Sequence, residues 1–118
     1  MRIVTVPNNM SREEFIEKVQ AELDIMRPHS RALVLLGGKT IPYSSKTIRM
    51  DGHMIRYARI GQTLPMTLRG TMADLIAIET TYQLPKEAIA MAFVILNYHA
   101  DNHGVLICPK ELEEMLNA

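Results

Sequence analysis

The residues best equipped for chemistry gather in the first half of the chain. Between Lys39 and Arg59, five basic side chains (Lys39, Lys46, Arg49, Arg56, Arg59) stand against one acid, Asp51. A guanidinium presents a planar fork of donors that matches phosphate oxygens, so Arg49, Arg56 and Arg59 are candidate phosphate ligands. Just upstream runs Leu36-Gly37-Gly38-Lys39-Thr40. Two glycines after an apolar strand let backbone N–H groups approach an anion, and the lysine and threonine add donors. This is not a Walker loop. The leading glycine with its four-residue spacer is missing, and Pro42 stands where a helix would begin. Gly37, Gly38 and Thr40 therefore read either as a second anion loop or as a plain Gly-Gly turn. Tyr82 offers a ring to stack on a base, and Asn97 an amide to read its edge. The alternative is a boundary tyrosine and a helix-end asparagine.

Other reactive side chains form weaker groupings. His99 and His103 are four apart, the spacing of two metal ligands on one helical face, with Asp101 and Cys108 as further donors. No glutamate lies between the histidines as in zincins, and an imidazolium near a helix end also suits the helix dipole. Ser44, Ser45 and Cys108 are nucleophiles without a visible base and orienting partner. Glu13, Glu14 and Glu17 read as a solvated helix face. The expectation is no catalytic constellation, no metal site and no cofactor.

These residues need elements to hold them. Met1 to Val6 alternates and is β-branched, which predicts a strand. Ser11 with Glu14 forms a capping box, and Met10 with Phe15 a hydrophobic staple. The stripe Phe15, Ile16, Val19, Leu23 and Met26 then predicts a helix that Pro28 stops. Arg31 to Leu36 is an apolar run that predicts a central strand covered on both faces. Asp51-Gly52 suits a two-residue hairpin turn. In that register Met50 faces His53 and Ile48 faces Ile55. Ile48, Met50, Ile55 and Tyr57 then line the core side, with Thr47, Arg49, Met54 and Arg56 opposite. From Thr67 the pattern predicts helix, with Thr71 and Asp74 as a start signal and Met72, Leu75, Ile76 and Ile78 as its stripe. Leu84-Pro85 breaks it, and Pro85 opens a second helix running from Lys86 to about Asn102. Val105 to Ile107 is a short strand, and a last helix follows Pro109.

The fold class expected is α+β: an N-terminal antiparallel sheet crossed by one helix, then a C-terminal helix pair. One domain spans 1–118, with sheet and helix over 1–63 and a helical half over 64–118. At 118 residues and 47% hydrophobic composition the chain can bury a core of its own and is too apolar for a disordered tail. Its thirteen basic and thirteen acidic residues argue against a general polyanion binder. The charges are segregated, however: ten basic and six acidic before residue 67, three and seven after it. Opposite halves of two protomers could attract head to tail, or both could be solvated surfaces. Ala88 to Leu96 (AIAMAFVIL) carries no polar residue. A helix apolar all round must be buried all round. Its last face meets either its own domain or a second chain, and a homo-oligomer is the expectation. No apolar segment is long enough to cross a bilayer, no N-terminal apolar run before a cleavage site reads as a signal peptide, and one cysteine allows no internal disulfide. The expected location is cytoplasmic.

The order of a sheet crossed by one helix and then a helix pair resembles the phage anti-Thoeris proteins of the first type. The resemblance is one of length and architecture and carries no diagnostic motif. It implies a small, non-catalytic oligomer that binds cyclic ADP-ribose isomers or cyclic oligonucleotides and so starves a bacterial immune effector of its signal. The ligand sites would lie between subunits, in the cytoplasm of the phage's host. Two other classes stay open. The stretch from Leu64 is similar to a ribbon-helix-helix repressor, in which a strand enters the major groove. Pro65 in that strand and the acidic C-terminal half count against DNA as a partner. A phage inhibitor of a host protein, of the anti-CRISPR kind, needs only a shaped, charged surface.

Overall fold

The computed structural model describes residues 1–38, 46–99 and 103–116. Strand β1 (Arg2–Val6) leads to helix α1 (Arg12–Asp24). The capping box is present as expected: Glu14 N–H donates to Ser11 Oγ, and the Glu14 carboxylate accepts from the Ser11 N–H. Phe15, Ile16, Val19 and Leu23 are buried on the inner face of α1. Next come strand β2 (Arg31–Leu36), the hairpin β3 (Lys46–Ile48) and β4 (Met54–Arg59), and the short helix α2 (Leu64–Leu68). Strand β5 (Leu75–Ile78), helix α3 (Lys86–His99), strand β6 (Val105–Pro109) and helix α4 (Lys110–Leu116) complete the chain.

The chain mixes α and β, as expected, but the arrangement is not an N-terminal antiparallel sheet beside a helical half. One six-stranded sheet in the order β1-β6-β5-β2-β4-β3 takes strands from both halves. Every neighbouring pair is parallel except β3 with β4. Alternation along the strands builds two cores. Ala32, Val34 and Leu36 of β2, with Leu75 and Ala77 of β5 and Val105 and Ile107 of β6, face α1. Leu33, Leu35, Ile76, Ile78 and Leu106 face the opposite way, against Leu64 and Leu68 of α2, Ala92 and Leu96 of α3 and Leu112 of α4. A sheet covered on both faces has strands apolar at every position, as β5 (LIAI) and β2 are.

That geometry explains the first correction. Residues 75–78 form a buried strand, not part of a helix. Four consecutive apolar residues fit either structure by periodicity. Gly70 at φ +76° ends α2, and Asp74, read as a cap, instead accepts from the Arg31 N–H at 2.8 Å and joins β5 to β2. The expected C-terminal helix pair is therefore absent as a contiguous unit. Residues 64–78 run helix then strand, which also removes the strand-helix-helix order of a ribbon-helix-helix protein.

The hairpin is shifted by one residue. Ile48 faces Met54, and Thr47 faces Ile55. Arg49 N–H donates to His53 O at 2.8 Å, so the loop is Met50-Asp51-Gly52, with Gly52 at φ +81°. A three-residue loop closing on a left-handed glycine is the next most common hairpin after the two-residue type. Ile55 and Tyr57 stay in the core as expected, but Ile48 is exposed and Met50 fully so.

Helix α3 is buried on one side only. Ala88, Ala92, Ile95 and Leu96 are covered, whereas Val94 and Tyr98 are exposed. The apolar run therefore presents an open face instead of being enclosed by its own domain. Among the described residues no helix is long and apolar enough to cross a membrane.

Candidate functional site

In a sheet of parallel strands the carboxyl ends lie along one edge, and ligands of open α/β sheets bind in the crevice outside them. A cleft of about 740 Å³ lies there. Gly37 and Gly38 enter it from the end of β2, Arg59 and Ile60 from β4, Glu79 and Thr80 from β5, Pro109 from β6, and Asn8 follows β1. Tyr82 and Gln83, on the approach to α3, and Glu111 of α4 complete the wall. Its size falls within the range of small-molecule sites.

The floor is held by an ion pair that the sequence did not disclose. Arg12, in the first turn of α1, donates from Nε to Glu79 Oε2 at 2.9 Å and from Nη2 to Glu79 Oε1 at 2.8 Å. Its Nη2 also donates to the Gly37 carbonyl. Gly37 N–H in turn donates to Glu79 Oε1 at 2.9 Å. The ends of α1, β2 and β5 are thus tied at one point, with both charged side chains largely out of solvent. Close approach also explains the glycine. A Cβ on Gly37 would lie 2.6 Å from Thr80 Cγ2. The Gly37 amide is therefore committed to Glu79, and the anion-loop reading does not hold for it. Gly38, at φ +96°, sits at the cleft wall where only glycine is unstrained. On the far wall, Thr81 Oγ1 donates to Glu111 Oε1 at 2.7 Å, and Tyr82 N–H donates to Thr80 Oγ1 at 3.1 Å. The Tyr82 ring itself is exposed.

Of the residues singled out on sequence grounds, Gly37, Gly38, Arg59 and Tyr82 meet in this cleft. The others go elsewhere. Arg49 sits at the hairpin tip and donates to Asp24 Oδ1 at 2.8 Å. Arg56 lines a separate depression with Arg31 and Met72. The expected register puts both arginines on one hairpin face; in the observed register Arg49 pairs with His53 and Arg56 with Lys46, which puts them on opposite faces. Asn97 is exposed near the far end of α3. Eleven residues beyond Lys86, it is roughly 16 Å along the helix axis from the cleft end, so within one chain Tyr82 and Asn97 do not meet. Thr40, like Ser44 and Ser45, lies outside the described residues. His103 is not on the helix of His99 but precedes β6, beside Arg2 and Asp74. Cys108 is fully buried, and burial, with the nearby Glu113 charge, pushes its thiol up to about 11. Little of it is thiolate at neutral pH, and it is closed off from solvent.

Sequence reasoning missed Arg12, Glu79, Thr80, Gln83, Asn8 and Glu111. The available signal was positional. Once Leu75–Ile78 is a strand, Glu79 falls at its carboxyl end, and Asn8 falls at the same place after β1. Comparison with known proteins finds no matching family model, no matching curated protein and no matching solved structure.

Proposed function

We propose that this protein is a non-catalytic binder of a small nucleotide, held in the cleft at the carboxyl ends of the parallel strands. The observation that carries the reading is the convergence there of Arg59, the exposed Tyr82 ring and the Asn8 and Gln83 amides, in a cavity of nucleotide size. Arg59 supplies a forked donor for a phosphate, Tyr82 a surface for a base, and the amides donors and acceptors for its edge. Binding without turnover is supported by the state of Glu79, the carboxylate best placed to act as a base. Both its oxygens are engaged by Arg12, and one also accepts from Gly37. The ligand class proposed is a cyclic nucleotide signal and the role its sequestration; the element order behind the anti-Thoeris resemblance is not the one found, so the reading stands on the cleft alone. The exposed side of α3 is the surface on which protomers would associate.

The test is a thermal-shift panel with ADP-ribose, its cyclic isomers, cyclic di- and trinucleotides and a short DNA duplex. A ligand at 100 times its dissociation constant adds about 2.7 kcal/mol, several degrees for a domain of this size. The expected result is a shift with one nucleotide, abolished in Arg59→Ala and reduced in Tyr82→Ala, with that nucleotide recovered intact. No shift with any nucleotide overturns the reading. A shift with the duplex alone, falling steeply with salt, favours nucleic acid instead.

A further inference from the structure

At the opposite edge of the sheet, three side chains with metal-ligating atoms come together. Asp24 ends α1, Asp51 lies in the β3–β4 loop and His53 closes that loop. One ligand atom from each lies within 4.8 Å of the other two. Acidic groups on a surface often gather without consequence, but His53 is different. Its side chain is only 1% exposed. Its Nε2 is 2.9 Å from the Arg27 carbonyl oxygen. A carbonyl only accepts, so Nε2 carries the hydrogen and donates it. In the neutral ring the lone pair then belongs to Nδ1, which points at the acids. Nδ1 is buried and has no hydrogen-bond partner, although Asp51 Oδ2 is 2.8 Å away. Two lone-pair atoms at that separation repel unless a positive centre, either a proton on Nδ1 or a metal ion, lies between them.

We infer that Asp24, Asp51 and His53 form a binding site for a divalent transition-metal ion of the zinc or cobalt class. One imidazole nitrogen and two carboxylate oxygens are a donor set suited to these ions, with water to complete the shell. The surroundings fit. A ligating histidine usually donates its other ring N–H to a carbonyl, which fixes tautomer and ring plane, and Arg27 O accepts that bond here. Asp51 Oδ1 accepts from the His53 backbone N–H at 3.0 Å, which holds the carboxylate while Oδ2 faces Nδ1. Arg49 Nη2 contacts Asp24 Oδ1, leaving Asp24 its second oxygen for the ion. The loop is also fixed from outside. A Cβ on Gly52 would lie 2.3 Å from His29 Nδ1, so that ring packs directly on the turn. The ion would join the end of α1 to the hairpin at the edge of the sheet farthest from the cleft.

The test uses the metal-free full chain titrated with Co²⁺ and followed by visible absorption, with Zn²⁺ as competitor. His53 is buried and its loss is apt to unfold the chain, so the variants are Asp24→Asn and Asp51→Asn. His103→Gln, away from the site, serves as the control. The proposal expects one ion per chain, affinity at least tenfold weaker in each aspartate variant, and no more than a twofold change in the control. Long-range ¹H–¹⁵N spectra should show a Zn²⁺-induced shift at His53 Nδ1 with Nε2 still protonated. No binding, binding indifferent to Asp51→Asn, or a doubly protonated His53 ring in excess Zn²⁺ at neutral pH overturns the proposal.

Discussion

Replacing Arg12 with methionine keeps the aliphatic stem and removes the charged fork at the floor of the cleft. Its hydrogen bonds to Glu79 and to the Gly37 carbonyl go with it. The Arg12 and Glu79 side chains are 27% and 19% exposed, between the surface and interior limits. Exposed pairs are worth about 1 kcal/mol or less, and breaking a fully buried pair costs about 3–5 kcal/mol. Glu79 would keep its bond from Gly37 N–H, so it would not be wholly orphaned. The expected loss is therefore about 2 kcal/mol, toward the lower side of that interval. At about 4 °C per kcal/mol for a chain of this length, Tm should fall by roughly 8 °C. Urea unfolding of wild type, Arg12→Met, Glu79→Gln and the double variant gives the coupling between the two side chains. It should reach about 1 kcal/mol, and the partly buried pair should resist added salt. A loss under about 0.5 kcal/mol with no coupling would show that the pair is an ordinary surface contact. The cleft floor would then not be organised by it.

Three other outcomes are expected. Ser11→Ala removes the acceptor of the Glu14 N–H and should cost about 1 kcal/mol in urea unfolding. Gly52→Ala should cost more than about 1 kcal/mol in the same assay, because φ +81° is strained for alanine and the new Cβ meets the His29 ring. The Cys108 thiol, raised from 9.0 to about 11 in the folded chain by burial and by Glu113, gives a pH test. Above pH 9 the unfolded chain has released that proton and the folded chain has not. The protonated thiol's contribution is thus fully present below pH 9 and is lost as pH rises through 11. The loss, at about 1.4 kcal/mol per unit, is on the order of 3 kcal/mol. Cys108→Ala should lack this decline, and the difference between the two pH profiles of urea unfolding isolates it.

Local signals were legible wherever a short-range rule decided the structure. Ser11 and Glu14 announced α1, and Pro85 announced α3. The apolar run 31–36 announced a strand covered on both faces. What failed depended on partners distant in sequence. Residues 75–78 are a strand because β2 and β6 lie on either side of them, and nothing within MADLIAI distinguishes that from a buried helix turn. The hairpin register turned on whether Asp51-Gly52 made a two- or a three-residue loop, and one residue moved Ile48 and Met50 out of the core. The candidate site suffered for the same reason. Arg59, Gly37, Gly38 and Tyr82 were chosen for their chemistry and do share the cleft. Arg49 and Arg56 share one face only in the expected register; the one-residue shift separates them, Arg49 onto Asp24 and Arg56 into another depression. Glu79 and Arg12, which organise the cleft, look unremarkable until β5 is known to end at residue 78.

The nucleotide proposed for the cleft at the strand carboxyl ends can be located directly. The direct measurement is a ¹H–¹⁵N amide map of the full chain titrated with the nucleotide that stabilises it most. The account predicts that the largest shifts fall on Asn8, Gly38, Arg59, Thr80, Tyr82 and Gln83, with little change around Asp51 and His53. Shifts confined to the exposed side of α3, or saturating binding that leaves these six amides unmoved, would contradict it.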